Sequence, residues 1–220
     1  MNENFPEFEI HYFDELDSTQ EYAKKLRKEY SVIVAKRQLH GKGRYGRIWY
    51  SPEGGLWFSI ILPRKKVELI SIIAGLAVCE LLNQLGFLAK IKWPNDIIVE
   101  DRKIAGILTE IKDDIVIVGI GINLNIDNFP DELKDKATSL FIVTHKNYDA
   151  KEVLALVLRN FKDLLNKENA EIIQKFNEYL ILNKEMKLVL PNKTIEGVPI
   201  GIDATGALLF KLKNGNIAKI

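Results

Sequence analysis

A mixed α+β fold, with a largely antiparallel sheet and a small β-barrel after it, is what this sequence predicts. Three observations predict it. Short apolar runs of strand length alternate with longer stretches of helical period, and four strand candidates follow one another between residues 89 and 123 with only short polar turns between them. The last forty or so residues then switch to short strands parted by Pro-Asn, Asp-Ala-Thr-Gly and Asn-Gly turns. The chain has 220 residues, 47% hydrophobic and 28% charged, which suits one large domain with an appendage and argues against a disordered or fibrous protein. The expected division is 1–183 for the main body and 184–220 for the barrel.

Taken in order, Phe8 to Phe13 has the pattern of a strand, and Ser18-Thr19-Gln20-Glu21 has the spacing of a capping box that opens a helix through about Tyr30. Val32 to Ala35 and Leu56 to Leu62 are apolar enough for buried strands, and the long polar connection between them carries five glycines. From Val67 to Leu85 the positions Ile70, Ile73, Ala74, Ala77, Leu81 and Leu85 recur at helical spacing, and Gly86 stands where a C-cap belongs. Ala89 to Lys92, Asp96 to Val99, Ile104 to Ile111 and Ile115 to Asn123 are the four close strands, with hairpin turns at Asp101-Arg102 and Asp113-Asp114. Lys151 to about Leu180 reads as one amphipathic helix. Met186 to Leu190, Thr194 to Ile202, Ala207 to Leu212 and Asn216 to Ile220 form the barrel strands.

Charge and cysteine usage exclude several function classes. Lys plus Arg number 31 against 30 for Asp plus Glu, a formal net charge of +1, so no global field draws the chain to nucleic acid or anionic lipid. Any anion site is therefore local. A lone Cys79 forms no internal disulfide and no soft-ligand zinc site, which fits a reducing cytoplasm. The acidic start lacks the order of a signal peptide, and Glu80 interrupts the longest apolar stretch well short of the ~18 residues of a membrane span.

Two segments stand out chemically. Gly41-Lys42-Gly43-Arg44-Tyr45-Gly46-Arg47 matches G-x-G-x-x-G only formally, because Ile48-Trp49-Tyr50-Ser51-Pro52 follows and opens no helix for a pyrophosphate. What remains is a glycine-rich loop with three cations, able to bring backbone amides and guanidinium forks to a phosphate or carboxylate, or else simply a solvated basic loop. Lys92-Trp93-Pro94-Asn95-Asp96 places a cation, two rings and a carboxylate at a strand end. Pro94 restricts Trp93 and can hold Lys92 aimed inward; the competing reading is a hairpin corner with Lys92 in solvent, and periodicity does not choose between them. Gly106, Gly119 and Gly121 lie inside strands, which calls for a bulge or the close approach of a ligand. A capping box accounts for Ser18 and Glu21 without any ligand. His11, His40 and His145 are isolated, so a nucleophilic hydrolase has little support.

Together these segments resemble the biotin protein ligase family. The likeness runs in order through Asp17-Ser18-Thr19-Gln20, Gln38, Gly41 to Trp49, Lys92-Trp93-Pro94-Asn95-Asp96, Asp101-Arg102-Lys103-Ile104-Ala105-Gly106-Ile107-Leu108, Gly119-Ile120-Gly121-Ile122-Asn123, and Gly201-Ile202-Asp203 with Gly206-Ala207-Leu208. The resemblance implies a class II aminoacyl-tRNA synthetase-like catalytic domain over 1–183 and an SH3-like barrel over 184–220. It implies a two-step reaction in the cytoplasm: biotin and MgATP give biotinyl-5′-adenylate and pyrophosphate, then a lysine of a carboxylase's biotin carboxyl carrier domain displaces AMP. Joining two anions requires cations to screen them.

The same resemblance makes Lys92 the central catalytic cation, with Arg44 beside it. It assigns Ser18, Thr19, Gln20, Gln38, Lys42, Gly43, Arg44, Lys92, Gly119 and Gly121 to biotin. It assigns Arg44, Arg47, Trp49, Lys92, Asn95, Lys103 and Asn123 to ATP or the adenylate, with Mg2+ arriving with ATP near Asp96. A homodimer through the sheet edge is implied, and a monofunctional type without the N-terminal DNA-binding domain, hence no DNA partner. Three departures stand: Lys42 replaces an arginine, Gln20 an asparagine, and the chain ends at Ile220 where relatives usually continue, so an incomplete barrel is expected. The alternatives are a lipoate or octanoate ligase or transferase on a similar scaffold, and a single-stranded nucleic-acid module using the basic and aromatic loop.

Overall fold

Period-two alternation in the most apolar strand decides where the two faces of the main sheet lie. The computed structural model describes residues 7–64, 69–190 and 193–220. In strand β7 (Ile115–Ile122), Val116, Val118, Ile120 and Ile122 enter the large core, while Ile115 and Ile117 enter a smaller cluster on the other face. Gly119 and Gly121 continue that second face, and with no side chains they leave it open beyond Ile117.

Seven strands make the main sheet: β1 (Glu9–Leu16), β2 (Ser31–Gln38), β3 (Leu56–Pro63), β4 (Lys90–Lys92), β5 (Asp96–Val99), β6 (Arg102–Lys112) and β7. Their order is β1-β2-β3-β7-β6-β5-β4, parallel between β1 and β2 and antiparallel elsewhere. Helix α2 (Ile70–Gln84) lies on one face beneath α5 (Ala150–Leu165) and α6 (Asn169–Tyr179). This sandwiching buries Ile72, Leu76, Val78 and Cys79 as well as Ile70, Ile73, Ala74, Ala77 and Leu81 of the predicted stripe, as expected for a helix apolar all round. Burial pushes the Cys79 thiol well above its ordinary range, so it is no nucleophile. The short helix α1 (Thr19–Leu26) covers the other face, Ala23 meeting Ile33, Ile61, Ile115 and Ile117. No helix among the described residues is long and apolar enough to cross a membrane.

Two expectations need correction. Helix α1 stops at Leu26 instead of about Tyr30, because Arg27 turns left-handed (φ 55°) and its guanidinium binds Asp113 at 3.1 Å and Asp114 at 2.7 Å in the β6–β7 turn. The single helix expected over 151–180 is two: Asn166 ends α5, its side chain donating to the Lys162 carbonyl at 3.1 Å, and α6 starts afresh at Asn169. Between β7 and α5, a stretch with no predicted element, lie α3 (Asp131–Lys134) and α4 (Leu140–Thr144), the latter capped by Ser139. The start of the expected helix at Val67 and the Pro191-Asn192 turn lie outside the described residues.

Strands β8 (Met186–Leu190), β9 (Lys193–Ile202), β10 (Leu208–Leu212) and β11 (Ile217–Lys219) form a second, antiparallel sheet in the order β11-β10-β9-β8. Ile202, Leu208 and Phe210 from it join the core around α2, so it packs on the body. On its outer side Glu196 sits 2.7 Å from Lys187 and 2.5 Å from Lys213. Hydrogen bonds from these two lysines hold its carboxyl at about 2 instead of 4.5. A depressed folded value means stabilisation that is complete above the unfolded value and lost as pH falls from about 4.5 toward 2. The pairs are exposed, so the effect is small and screened by salt. Melting temperature measured across that window should therefore fall more steeply for the native chain than for Glu196→Gln; parallel curves would mean that the pairs contribute nothing.

Candidate functional site

The open region of the main sheet becomes the floor of a cavity of about 430 Å³. Antiparallel register sets Ser59 of β3 opposite Gly119 and Gly106 of β6 opposite Gly121. Over this floor stands the start of α1, where Ser18 caps the helix and Thr19 and Gln20 are buried. The Thr19 backbone amide and hydroxyl donate to Gln38 Oε1 at 2.8 and 3.1 Å, and Gln38 Nε2 donates to Ser51 Oγ at 2.9 Å. Ser59 Oγ donates to Gln20 Oε1 at 3.0 Å and lies 2.9 Å from Thr19 Oγ1, while Gln20 Nε2 donates to the Ile117 carbonyl at 3.3 Å. The result is a neutral, internally satisfied polar network suited to orienting an uncharged polar ring.

Gly119 is small for a specific reason. A Cβ there would lie 2.6 Å from Gln20 Oε1, and one on Gly121 2.5 Å from Trp49 Nε1. These glycines therefore make room first for the protein's own Gln20 and Trp49 over the floor. Gly119→Ala should push the Gln20 amide out of its network and weaken binding of a small ligand by about tenfold or more, since a buried polar group is left mispaired. Calorimetric titration with biotin, the ligand that the family resemblance implies, checks this, with a melting curve to show that the fold persists. Unchanged affinity would remove Gln20 from the recognition face.

The cations come from two directions. The loop Gly41 to Ser51 folds on itself through an antiparallel bridge between Lys42 and Ile48 and a Gly43 N–H to Arg47 carbonyl bond of 2.8 Å, with a 3₁₀ turn at Arg44 to Gly46. Arg44 turns inward: its Nη1 donates to Asn95 Oδ1 at 3.2 Å, and Nη2 to the Tyr45 hydroxyl at 3.0 Å. Asn95 is itself fixed, donating to the Ile107 carbonyl at 3.0 Å. From β6, Lys103 crosses Gly106 to place Nζ 4.7 Å from the Trp49 ring centroid and 2.5 Å from Asp96 Oδ1. Trp49 stacks edge-on to Trp57 at 6.4 Å, and its Nε1 is buried without a hydrogen-bond partner.

Most of the expected residues meet in this cavity: Ser18, Thr19, Gln20, Gln38, Lys42, Gly43, Arg44, Arg47, Trp49, Asn95, Asp96, Lys103, Gly119 and Gly121 all line it. Lys92 does not. In β4, an edge strand, Ile91 points into the core and period two turns Lys92 outward to solvent, at the corner of the β4–β5 hairpin. Asn123 is also off the lining. It is 3% exposed, and its Nδ2 donates to the carbonyls of Thr138 at 2.9 Å and Lys103 at 3.5 Å, so it serves the backbone that carries Lys103. That backbone is further held by Lys103 N–H to Lys136 carbonyl and Thr138 N–H to Lys103 carbonyl bonds of 2.8 and 2.9 Å.

Sequence reasoning missed Ser59, whose one signal is a hydroxyl in an otherwise apolar strand, and Leu188, Leu190 and Ile220, which bring the second sheet to the rim. His40, taken as isolated, pairs with Asp17 beside α1, and that hydrogen bond holds the Asp17 carboxyl below its ordinary value. Among the described residues no group of three or more His, Cys, Asp and Glu is placed to hold a metal ion.

Comparison with known proteins agrees with this geometry. A model of the Biotin/lipoate A/B protein ligase family matches residues 12–127. The chain is 35% identical to the bifunctional ligase/repressor BirA of Bacillus spizizenii, over 93% of this chain and 70% of that protein. It is 28% identical to the biotin–[acetyl-CoA-carboxylase] ligase of Mycobacterium tuberculosis, over 80% and 71% of the two chains. Its structure superposes on the biotin protein ligase from Aquifex aeolicus in complex with biotin and ATP with a TM-score of 0.90 at 36% identity, covering 96% of this chain and 95% of the other.

Proposed function

Because the chain belongs to the Biotin/lipoate A/B protein ligase family and is a biotin–protein ligase within it, we propose that its cavity joins biotin to ATP and passes the biotinyl group to a lysine of a carboxylase's carrier domain. One observation carries this reading: a neutral polar floor and a cationic wall of Lys42, Arg44, Arg47 and Lys103 share one cavity. The floor suits the ureido ring and the wall suits the carboxylate and phosphates. Thr19, Gln20 and Gln38 orient the ring.

In the first step a biotin carboxylate oxygen attacks the α-phosphorus of ATP and the bond to pyrophosphate breaks. Arg44 and Lys103 flank the meeting point and stabilise the added charge on the phosphate, in a site already organised before reaction. Trp49 covers the adenylate, and its unpartnered Nε1 offers a donor to it. In the second step the lysine nitrogen attacks the acyl carbon, the bond to AMP breaks, and the nitrogen gives up a proton. Asp96 is the only carboxylate among the described residues of the lining and is the acceptor at hand. Mg2+ would arrive with the phosphates of ATP, near Asp96, the carboxylate of the lining that pairs with Lys103.

The reading includes a reducing cytoplasm, supported by a single buried cysteine. It also includes a homodimer through the edge strand β1, supported by the exposed Ile10 and Tyr12 there. ATP–pyrophosphate exchange with Mg2+, comparing biotin, lipoate and octanoate, tests the central claim because it needs only the first step. Biotin-dependent exchange is expected; lipoate- or octanoate-dependent exchange would transfer the chain to the alternative substrate class.

A further inference from the structure

Behind the Arg44–Asn95 contact lies a second cavity, of about 380 Å³. Arg44, Trp93, Pro94, Asn95, Ile107 and Leu108 line both cavities, so the two are adjoining chambers with a shared wall that includes the Arg44 side chain. The outer wall adds the start of α2 and the β9–β10 turn, neither of which lines the first chamber. The start of α2 brings Ser71, whose hydroxyl lies 2.7 Å from that of Thr109 in β6, and the β9–β10 turn brings Thr205. That turn is pressed onto α2: a Cβ on Gly206 would lie 2.6 Å from Ile72 Cδ1.

The reaction has three substrates, and the first chamber is filled by the adenylate when the third must enter. A lysine side chain is a run of four methylenes ending in an amine. It needs an apolar sleeve that opens at its inner end on the acyl carbon, and polar groups at its mouth for the polypeptide that bears it. The second chamber has this composition. Leu69, Ile72 and Leu108 and the rings of Trp93 and Pro94 supply the sleeve, and the hydroxyls of Ser71, Thr109 and Thr205 supply the polar groups. No carboxylate lines it among the described residues, so a charged ammonium gains no partner there and the neutral amine, the form that attacks, is favoured.

We infer that this chamber is the entrance for the acceptor lysine, with Arg44 as the partition between amine and adenylate. The inference rests on the ligase reading and deepens it. Two filling variants on different elements, Ser71→Leu and Thr109→Leu, test it in the full chain. Biotin-dependent ATP–pyrophosphate exchange should stay within about twofold of the native rate, while kcat/KM for transfer to an isolated biotin carboxyl carrier domain should fall by about thirtyfold. Thr205→Phe, on an exposed turn that tolerates change, should do the same and guards against a failure of the core variants to fold.

Native transfer in all three variants would overturn the inference. So would a raised KM for pyrophosphate with transfer intact, which would make the chamber a leaving-group site. An equal fall in exchange and transfer with melting unchanged would also overturn it, by assigning the chamber to adenylation. Loss of biotin-dependent exchange in the native chain would instead refute the ligase reading itself, so the two failures are separable.

Discussion

Lys103→Ala is expected to lower biotin-dependent ATP–pyrophosphate exchange by two to three orders of magnitude, roughly 3 to 4 kcal/mol of transition-state stabilisation. Lys103 reaches the cavity between Trp49 and Asp96, and its backbone is fixed by Lys136, Thr138 and Asn123. A cation held in place on both sides reorganises little when charge builds on the phosphate, which is why its loss is costly. The fold should survive, because the side chain is partly exposed and Asp96, freed of its partner, keeps access to water. Lys103→Arg should recover only part of the rate, since a planar fork does not replace a compact ammonium over Trp49. Lys92→Ala is the matching control. Facing solvent on an edge strand, it should leave exchange within about threefold of native. A severe loss from Lys92→Ala with a mild one from Lys103→Ala would reverse the assignment.

Arg44→Gly should release the intermediate. Arg44 ties the glycine-rich loop to Asn95, and Asn95 is tied to β6. Without the guanidinium the loop loses that tether, the two chambers merge, and the adenylate loses a cation that held its phosphate. Biotinylation of lysines on an unrelated bystander protein should then rise by about a hundredfold, even as adenylation itself slows. Incubation with biotin, ATP and a bystander, followed by detection of bound biotin, decides the matter. Labelling confined to the proper acceptor would show that the loop does not retain the intermediate.

The strands and helices near the site were legible because their causes are local. Ser18 and Glu21 marked the start of α1, Gly86 the end of α2, and the runs at β3 and β7 their own burial. Helix ends that depend on distant partners were not legible. Arg27 leaves α1 toward Asp113 and Asp114, which lie more than eighty residues away in sequence. Nothing in the residues around Arg27 records those carboxylates.

The same division runs through the site. The sequence by itself determined the family, the mixed α+β class and most of the lining, because a loop with two close glycines and three cations, and small residues at period two in β7, are statements about neighbouring residues. Only the tertiary structure decided which of two lysines lines the cavity. Lys92 and Lys103 both lie in motif segments, yet one flanks Ile91 on an edge strand and the other crosses Gly106 toward Asp96. The structure also decided that Asn123 serves backbone, that Ser59 joins the floor, and that a second chamber lies behind Arg44. The physical reason is register: a side chain's face follows from period two, but what it meets there is set by how strands far apart in sequence align.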